Sequence, residues 1–380
     1  MILSNGYFVD GDFRLRTGDI RIEQGKIVEI GENLDGAEKI DCTGKYILPG
    51  FIDTHFHGAC GVKVSDGNPD FNKMTEYLAT QGVTSIALGT AVVDDYNGLL
   101  SQVDNIARYQ GNGKGAKMLA INLEGPFISI QYKGAMNGES IIRPSIEKFQ
   151  ELCKRSHNRI KMVTVAPETD GGIEFIKYAV SQGVKVFLGH TGATYEQAME
   201  AIQAGATGMT HTFNACVGLH HRTPGVLGAV LTEDTVTCEM ICDYVHLHPA
   251  AIKLIYNAKG RDKINIVSDS VFVAGIECDT FTEADGVVRY IKDKKITLEN
   301  GTIAGSAMTL LDGVQNLLRN GYPVQDVAKM ASYNPAKTIG VDARVGSLEV
   351  GKCADIVILN NNFDIEQTFI DARCVYQSKQ

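Results

Sequence analysis

Two textures of apolar and polar positions divide the 380-residue chain. Up to about residue 48 the apolar residues come in short alternating sets, ILSNGYFVDGD, DIRIEQGKIVEIGE and KIDCTGKYILPG. Ile20 and Ile22 lead into Gln24-Gly25, and Ile27, Val28 and Ile30 lead out, the pattern of two strands joined by a tight turn. From Gly50 onward an apolar run is followed, again and again, by a polar stretch of helical length. The runs ILPGFIDTHFH, VTSIALGT, KMLAINLEGP, KMVTVAPE, VKVFLGHTG, TGMTHTFNA, TCEMICDYVH and INIVSDS number eight and extend from Ile47 to Ser270. Between them DFNKMTEYLATQG, GGIEFIKYAVSQG and YEQAMEAIQAG each close on Gly, as helix C-termini do. Strand alternating with helix predicts an α/β fold with a parallel sheet, and eight units suit a (β/α)8 TIM-like barrel; an open doubly wound sheet is the alternative.

After the eighth run come a Gly-rich loop, NGTIAGSAMT, and two helical stretches, LLDGVQNLLRNG and VQDVAKMASYNPAKTIG. The last forty or so residues return to short strands, VGSLEVGKCADIVILN and FDIEQTFIDARCVYQ. The β texture at both ends predicts that residues 1–48 and 341–380 pair into one small β-sandwich domain beside a barrel of residues 49–340.

Composition narrows the function classes. At 44% hydrophobic and 21% charged the chain suits an ordered globule, and no stretch approaches the roughly 18 apolar residues of a membrane span. Residues 1–20 lack the basic start and apolar segment of a signal peptide, so a cytoplasmic location without membrane partners is expected. Nine scattered Cys with no CxxC pair point to reduced thiols rather than disulfides or a thiolate zinc site. The net charge of −9, without a basic run, disfavours nucleic acid as a partner but leaves room for a few local cations to hold one phosphate.

Residue types that ligate metals cluster at the ends of the apolar runs: His55 and His57, Glu124, His190, His211 and Asp269. In a parallel barrel all strand C-termini open on one face, so residues distant in sequence converge there. His55 and His57 lie two apart in an extended segment and project to one side, which suits one ion; ordinary core histidines are the alternative. Imidazole and carboxylate donors without thiolate fit Zn²⁺ or Fe²⁺ and do not separate the two. Asp269, after the run INIVS, is costly there unless paired, hydrogen-bonded or metal-bound. Beside an activated water it could move a proton; capping the next helix is the other reading. His220-His221-Arg222 reads as a polar loop, either a plain surface cluster or a phosphate grip, and His248 before Pro249 reads as structural. GNGKGAK lacks the spacing of a phosphate loop and reads as an ordinary connection.

HxH after strand one, single His residues ending strands five and six and Asp ending strand eight resemble the amidohydrolase superfamily of metal-dependent hydrolases. The ordered motifs LEGPF, LGHTGA, HTFNA, HHRTPG, DYVHLHP, VSDS and IAGSAMT narrow this, across nearly the whole chain, to a resemblance to the N-acetylglucosamine-6-phosphate deacetylase family. The resemblance implies that Glu124, His190 and His211 hold a principal divalent metal, that His55 and His57 hold a second, and that Asp269 is the catalytic acid and base. It implies that Asn214, the backbone of Ala215, Arg222 and His246 hold the phosphate of an amino sugar. Ala135 and Ile303-Ala304-Gly305 match positions lining the sugar. It further implies a homodimer, with the Arg222 region near the partner subunit. The chain departs from the family pattern at Met136, where His is common, and at Cys216 and Ser270. Those departures leave the sugar open between N-acetylglucosamine 6-phosphate, N-acetylgalactosamine 6-phosphate and related N-acyl amino sugar phosphates.

Overall fold

A computed structural model of the protein describes residues 1–36, 38–90, 95–136, 138–282, 286–301 and 303–379. The eight apolar runs form eight parallel strands lying side by side in chain order. They are strand one (Phe51–Asp53), two (Val83–Gly89), three (Lys117–Leu123), four (Ile160–Val165), five (Lys185–Leu188), six (Gly208–Met209), seven (Thr237–Ile241) and eight (Ile264–Val267). The sheet returns on itself where strand eight meets strand one. Past the strand ends the Asp269 amide donates to the His55 carbonyl (2.9 Å) and the His57 amide to that of Ser270 (2.8 Å). Just below, Ser268 Oγ donates to the buried carboxyl of Asp53 at 2.6 Å. The barrel alternative therefore holds over the open sheet.

The three helices expected from periodicity are Phe71–Thr80, Gly172–Ser181 and Tyr195–Gln203. Gly82, Gly183 and Gly205 end them at φ of +77°, +75° and +110°, a region that side-chain-bearing residues avoid. The far end of the barrel is plugged by the helical stretch Asn334–Thr338, where Ala336, Ile339 and Val345 pack on Ile52, Ala87, Ala120, Met162 and Phe187. The barrel is thus closed at one end and open only at the strand C-termini.

Both chain ends share one eight-stranded sheet. Ile2–Val9 pairs antiparallel with Leu15–Glu23 and parallel with Lys39–Asp41 and Tyr46–Pro49, and Ile356–Leu359 joins antiparallel to Tyr46–Pro49. The Gln24-Gly25 turn has both residues at positive φ (49° and 82°), as a two-residue hairpin of native twist requires. Leu3, Phe8, Ile20, Ile22, Ile27, Ile47, Ile356 and Phe369 form its core.

One expectation is overturned. NGTIAGSAMT is not wholly loop: Ile303–Ser306 is the last strand of a four-stranded antiparallel sheet with Thr280–Thr282, Val288–Lys292 and Lys295–Leu298. Its Ser306 bridges to Ser270 beside strand eight, so the sheet stands at the open end of the barrel. The turn of its central hairpin, Asp293-Lys294, adopts positive φ at both residues (51° and 62°) without a Gly, so the usual turn signal is missing from the sequence.

Candidate metal centre

The six metal-suited residues meet at the open end of the barrel, each at or just beyond a strand C-terminus. Glu124 Oε1 lies 3.1 Å from Nε2 of His190 and 3.1 Å from Nε2 of His211, and those two nitrogens are 3.0 Å apart. The other carboxylate oxygen, Oε2, lies 3.2 Å from His57 Nε2. On the same side Asp269 Oδ1 is 3.3 Å from His57 Nε2 and 3.7 Å from His55 Nε2. Glu124 therefore stands between two triads, Glu124/His190/His211 and His55/His57/Asp269, each with its donor atoms close enough for one ion. Glu124, His55, His190 and His211 are buried, and His57 and Asp269 are partly exposed.

Local backbone geometry aims these groups. His190, His211 and Asp269 sit at φ of +49°, +26° and +48°, a left-handed conformation that costs a non-glycine residue of order 1–3 kcal/mol. Each occurs where a strand has just ended, so the chain bends sharply and turns a side chain inward. Further contacts fix the rings. His190 Nδ1 faces the Tyr132 carbonyl at 2.8 Å, an acceptor only, so this nitrogen carries the proton and Nε2 presents its lone pair. His55 Nδ1 is held the same way by Glu239 Oε2 at 2.8 Å.

Electrostatics favour a cation. Burial opposes charge on His55, yet Glu239 and Glu124 outweigh it and push its pKa well above the ordinary histidine value. His57 is likewise opposed by burial but raised to about 9 by Asp269 and Glu124. Burial would raise Asp269 and Glu124, yet the surrounding imidazoles hold both carboxyls well below the ordinary carboxylate range. The four shifts are reciprocal: the carboxylates raise the imidazoles and the imidazoles lower the carboxylates, so the carboxylates favour positive charge among them. The donor set fits a divalent metal on two further counts. His55 Nε2 is buried without a hydrogen-bond partner although Glu124 Oε1 is 3.3 Å away. The Glu124/His190/His211 edges of 3.0–3.1 Å approach the roughly 3.3 Å that bonds of about 2.0–2.1 Å impose around a tetrahedral zinc.

The remaining sequence-derived residues are placed as follows. The Lys133–Met136 segment lies over His190: a Cβ built on Gly134 would stand 3.5 Å from His190 Cε1 and 3.7 Å from Ala215 Cβ, which brings the neighbourhood of Ala135 to that of Ala215. Asn214 is half-buried and donates to the His211 carbonyl at 3.2 Å, and Ala215 sits at φ +46° with its carbonyl accepting from Thr191. His246 is clamped through Nδ1 by Asp243 Oδ2 at 2.7 Å. Arg222 is exposed, with its guanidinium against His221 Nε2 in its own loop. For Ile303, Ala304 and Gly305 the strand backbone is described, and their side chains lie outside the described residues. His248 caps the helix Pro249–Lys259, accepting from Ala250 N, which is the structural role expected of it. Four carboxylates were not singled out from the sequence. Asp53 ties the barrel seam, Glu168 accepts from Thr191 Oγ1 and Gly192 N behind His190, Asp243 holds His246, and Glu239 touches His55 and His211. An acidic residue inside an apolar run, as Glu239 in TCEMIC, is the signal that could have found the last.

Residues 46–375 match the amidohydrolase family. The chain belongs to the amidohydrolase family. Among its relatives is the N-acetylglucosamine-6-phosphate deacetylase of Vibrio furnissii, 34% identical over 94% of this chain and 91% of the relative. The N-acetylgalactosamine-6-phosphate deacetylase of Escherichia coli O157:H7 is 32% identical over 98% and 97%. A solved structure of a mutant N-acetyl-D-glucosamine-6-phosphate deacetylase from Mycobacterium smegmatis, in complex with N-acetyl-D-glucosamine-6-phosphate, is 28% identical and superposes with a TM-score of 0.90 over 99% of each chain. The amidohydrolase assignment makes the chain a metal-dependent amide hydrolase, and it explains why donors from strands one, three, five, six and eight converge.

Proposed function

We propose that the protein removes acetate from the 2-acetamido group of N-acetylglucosamine 6-phosphate, giving glucosamine 6-phosphate in amino-sugar breakdown. The observation that carries this reading is the pair of adjacent triads, Glu124/His190/His211 and His55/His57/Asp269, at the open end of the barrel. Glu124, His190 and His211 would hold the principal ion, and His55 and His57 a second; zinc and iron both suit these donors. A divalent ion there supplies Lewis acidity and lowers the pKa of water. Asp269, ionised in its basic surroundings, takes the proton of the attacking water as oxygen adds to the acetamide carbon. It then hands that proton to the amine nitrogen as the C–N bond breaks, releasing acetate and the amino sugar. Asn214, the Ala215 backbone, His246 and Arg222 would hold the 6-phosphate, with Ala135 and Ile303–Gly305 along the sugar.

The exposed Arg222 loop suits a homodimer in which it approaches the partner's site, and nine free thiols suit the reducing cytoplasm. Met136, beside the loop over His190, favours a second reading in which the galacto epimer is the better substrate. Acetate release from a panel of N-acetyl hexosamine phosphates, with metal analysis of the same sample, tests both. Faster release from unphosphorylated sugars, or activity that survives metal removal, would sink the proposal. Asp269→Asn should lower kcat by about 10²–10⁴-fold while the principal ion is retained; near-normal turnover would remove its role.

A further inference from the structure

One buried carboxylate outside the six candidate ligands touches both triads. Glu239 stands mid-way along strand seven between apolar neighbours and has no solvent exposure. Its Oε2 lies 2.8 Å from His55 Nδ1 and accepts from the backbone N–H of His211 at 3.1 Å, while its Oε1 has no hydrogen-bond partner among the described residues. His55 is also its one ion-pair partner among them. A carboxylate in an apolar strand is costly, so its contacts have to repay the burial.

We propose that Glu239 is a positioning residue that sets the tautomer of His55 and anchors the turn carrying His211, so that one side chain aligns both triads. This rests on the metal-binding reading above. A neutral imidazole has one N–H, and an ionised carboxylate only accepts, so contact with Glu239 puts the proton on Nδ1. The lone pair of Nε2 then faces Glu124 Oε1 and Asp269 Oδ1, at 3.3 and 3.7 Å. The opposite tautomer would turn an N–H into the site and could ligate nothing. The second bond acts on the backbone. His211 is left-handed just past the end of strand six, and Glu239 satisfies its buried amide there. The side chain thus couples strand one, which carries His55, to strand six, which leads to His211, across strand seven.

The test uses metal-stripped protein titrated with Zn²⁺ against a chelating indicator, in wild type, E239Q and E239L. The amide oxygen of E239Q can accept both bonds, so E239Q should stay close to wild type. E239L, with no acceptor, should weaken zinc binding about 10–100-fold and lower kcat, with the KM for phosphorylated sugar unmoved because Glu239 touches no substrate. Nitrogen NMR of the zinc-loaded wild type should show His55 protonated at Nδ1. Protonation at Nε2 overturns the proposal even if E239L fails to fold. Wild-type affinity in E239L overturns it, and so does an E239Q as weak as E239L, which would make charge rather than alignment the cause. A wild type that binds no zinc sinks the metal reading and this one together, whereas a normal wild type with a normal E239L sinks this one alone.

Discussion

A neighbouring carboxylate favours the charged form of His246. Burial alone would lower the imidazole pKa, but the Asp243 hydrogen bond and charge outweigh it and raise it above 6.5. Asp243, which burial would raise, is lowered by the same contact. A raised pKa keeps the cation beyond pH 6.5 and loses it as pH climbs through the higher value. If His246 grips the phosphate, the KM for a phosphorylated substrate should stay level through pH 6.5 and rise only above it. Asp243→Asn should move that rise to lower pH; a profile unchanged by Asp243→Asn would take His246 out of the phosphate site. At this scale the sequence shows those candidate ligands that interrupt apolar runs at their ends. It hides residues such as Asp53 and Glu239, whose partners lie 215 and 184 positions away and have no local trace.

Strands pack by size as much as by polarity. Gly208 in strand six faces Phe187 of strand five so closely that a Cβ would come within 2.3 Å of the ring. Gly208→Ala should therefore destabilise the protein by about 1–3 kcal/mol, read as a lower denaturant midpoint; an unchanged midpoint would mean that the ring moves aside freely. The eight barrel strands are legible because burial on both faces makes them continuous apolar runs. The sheet of Thr280–Thr282, Val288–Lys292, Lys295–Leu298 and Ile303–Ser306 is not, because its short, partly exposed strands break their apolar residues with Arg289, Lys292 and Lys295 and give no continuous run. The Arg222 loop belongs to this scale too. Arg222→Ala should raise the KM of a phosphorylated substrate and leave an unphosphorylated analogue unaffected, and an equal effect on both would contradict a phosphate contact.

For the whole molecule, we propose that residues 1–48 with 341–380, and residues 49–340, are two folding units. Lys117, at the start of strand three, links them: its Nζ lies 2.7 Å from Asp355 Oδ2 and 3.0 Å from Asp371 Oδ1. Lys117→Met would leave Asp355 buried against a second carboxylate, and a loss of about 3 kcal/mol in thermal or denaturant unfolding is expected. Hydrogen exchange should show the two terminal segments protected together, and separate opening of one would dissolve that unit.

The barrel seam gives the metal centre a mechanical meaning. Seven of the junctions between neighbouring strands are laddered, whereas strands one and eight are joined past their ends by scattered backbone bonds, among them those of Asp269 and His57, and by the Asp53–Ser268 tie. His55 and His57 lie on one side of that gap and Asp269 on the other. An ion held by all three would act as a removable cross-link that closes a loop of some two hundred residues, in the manner of a disulfide. Chelation should then speed unfolding as well as stop turnover. The protein's lifetime at high temperature would be set by its metal supply rather than by its core alone.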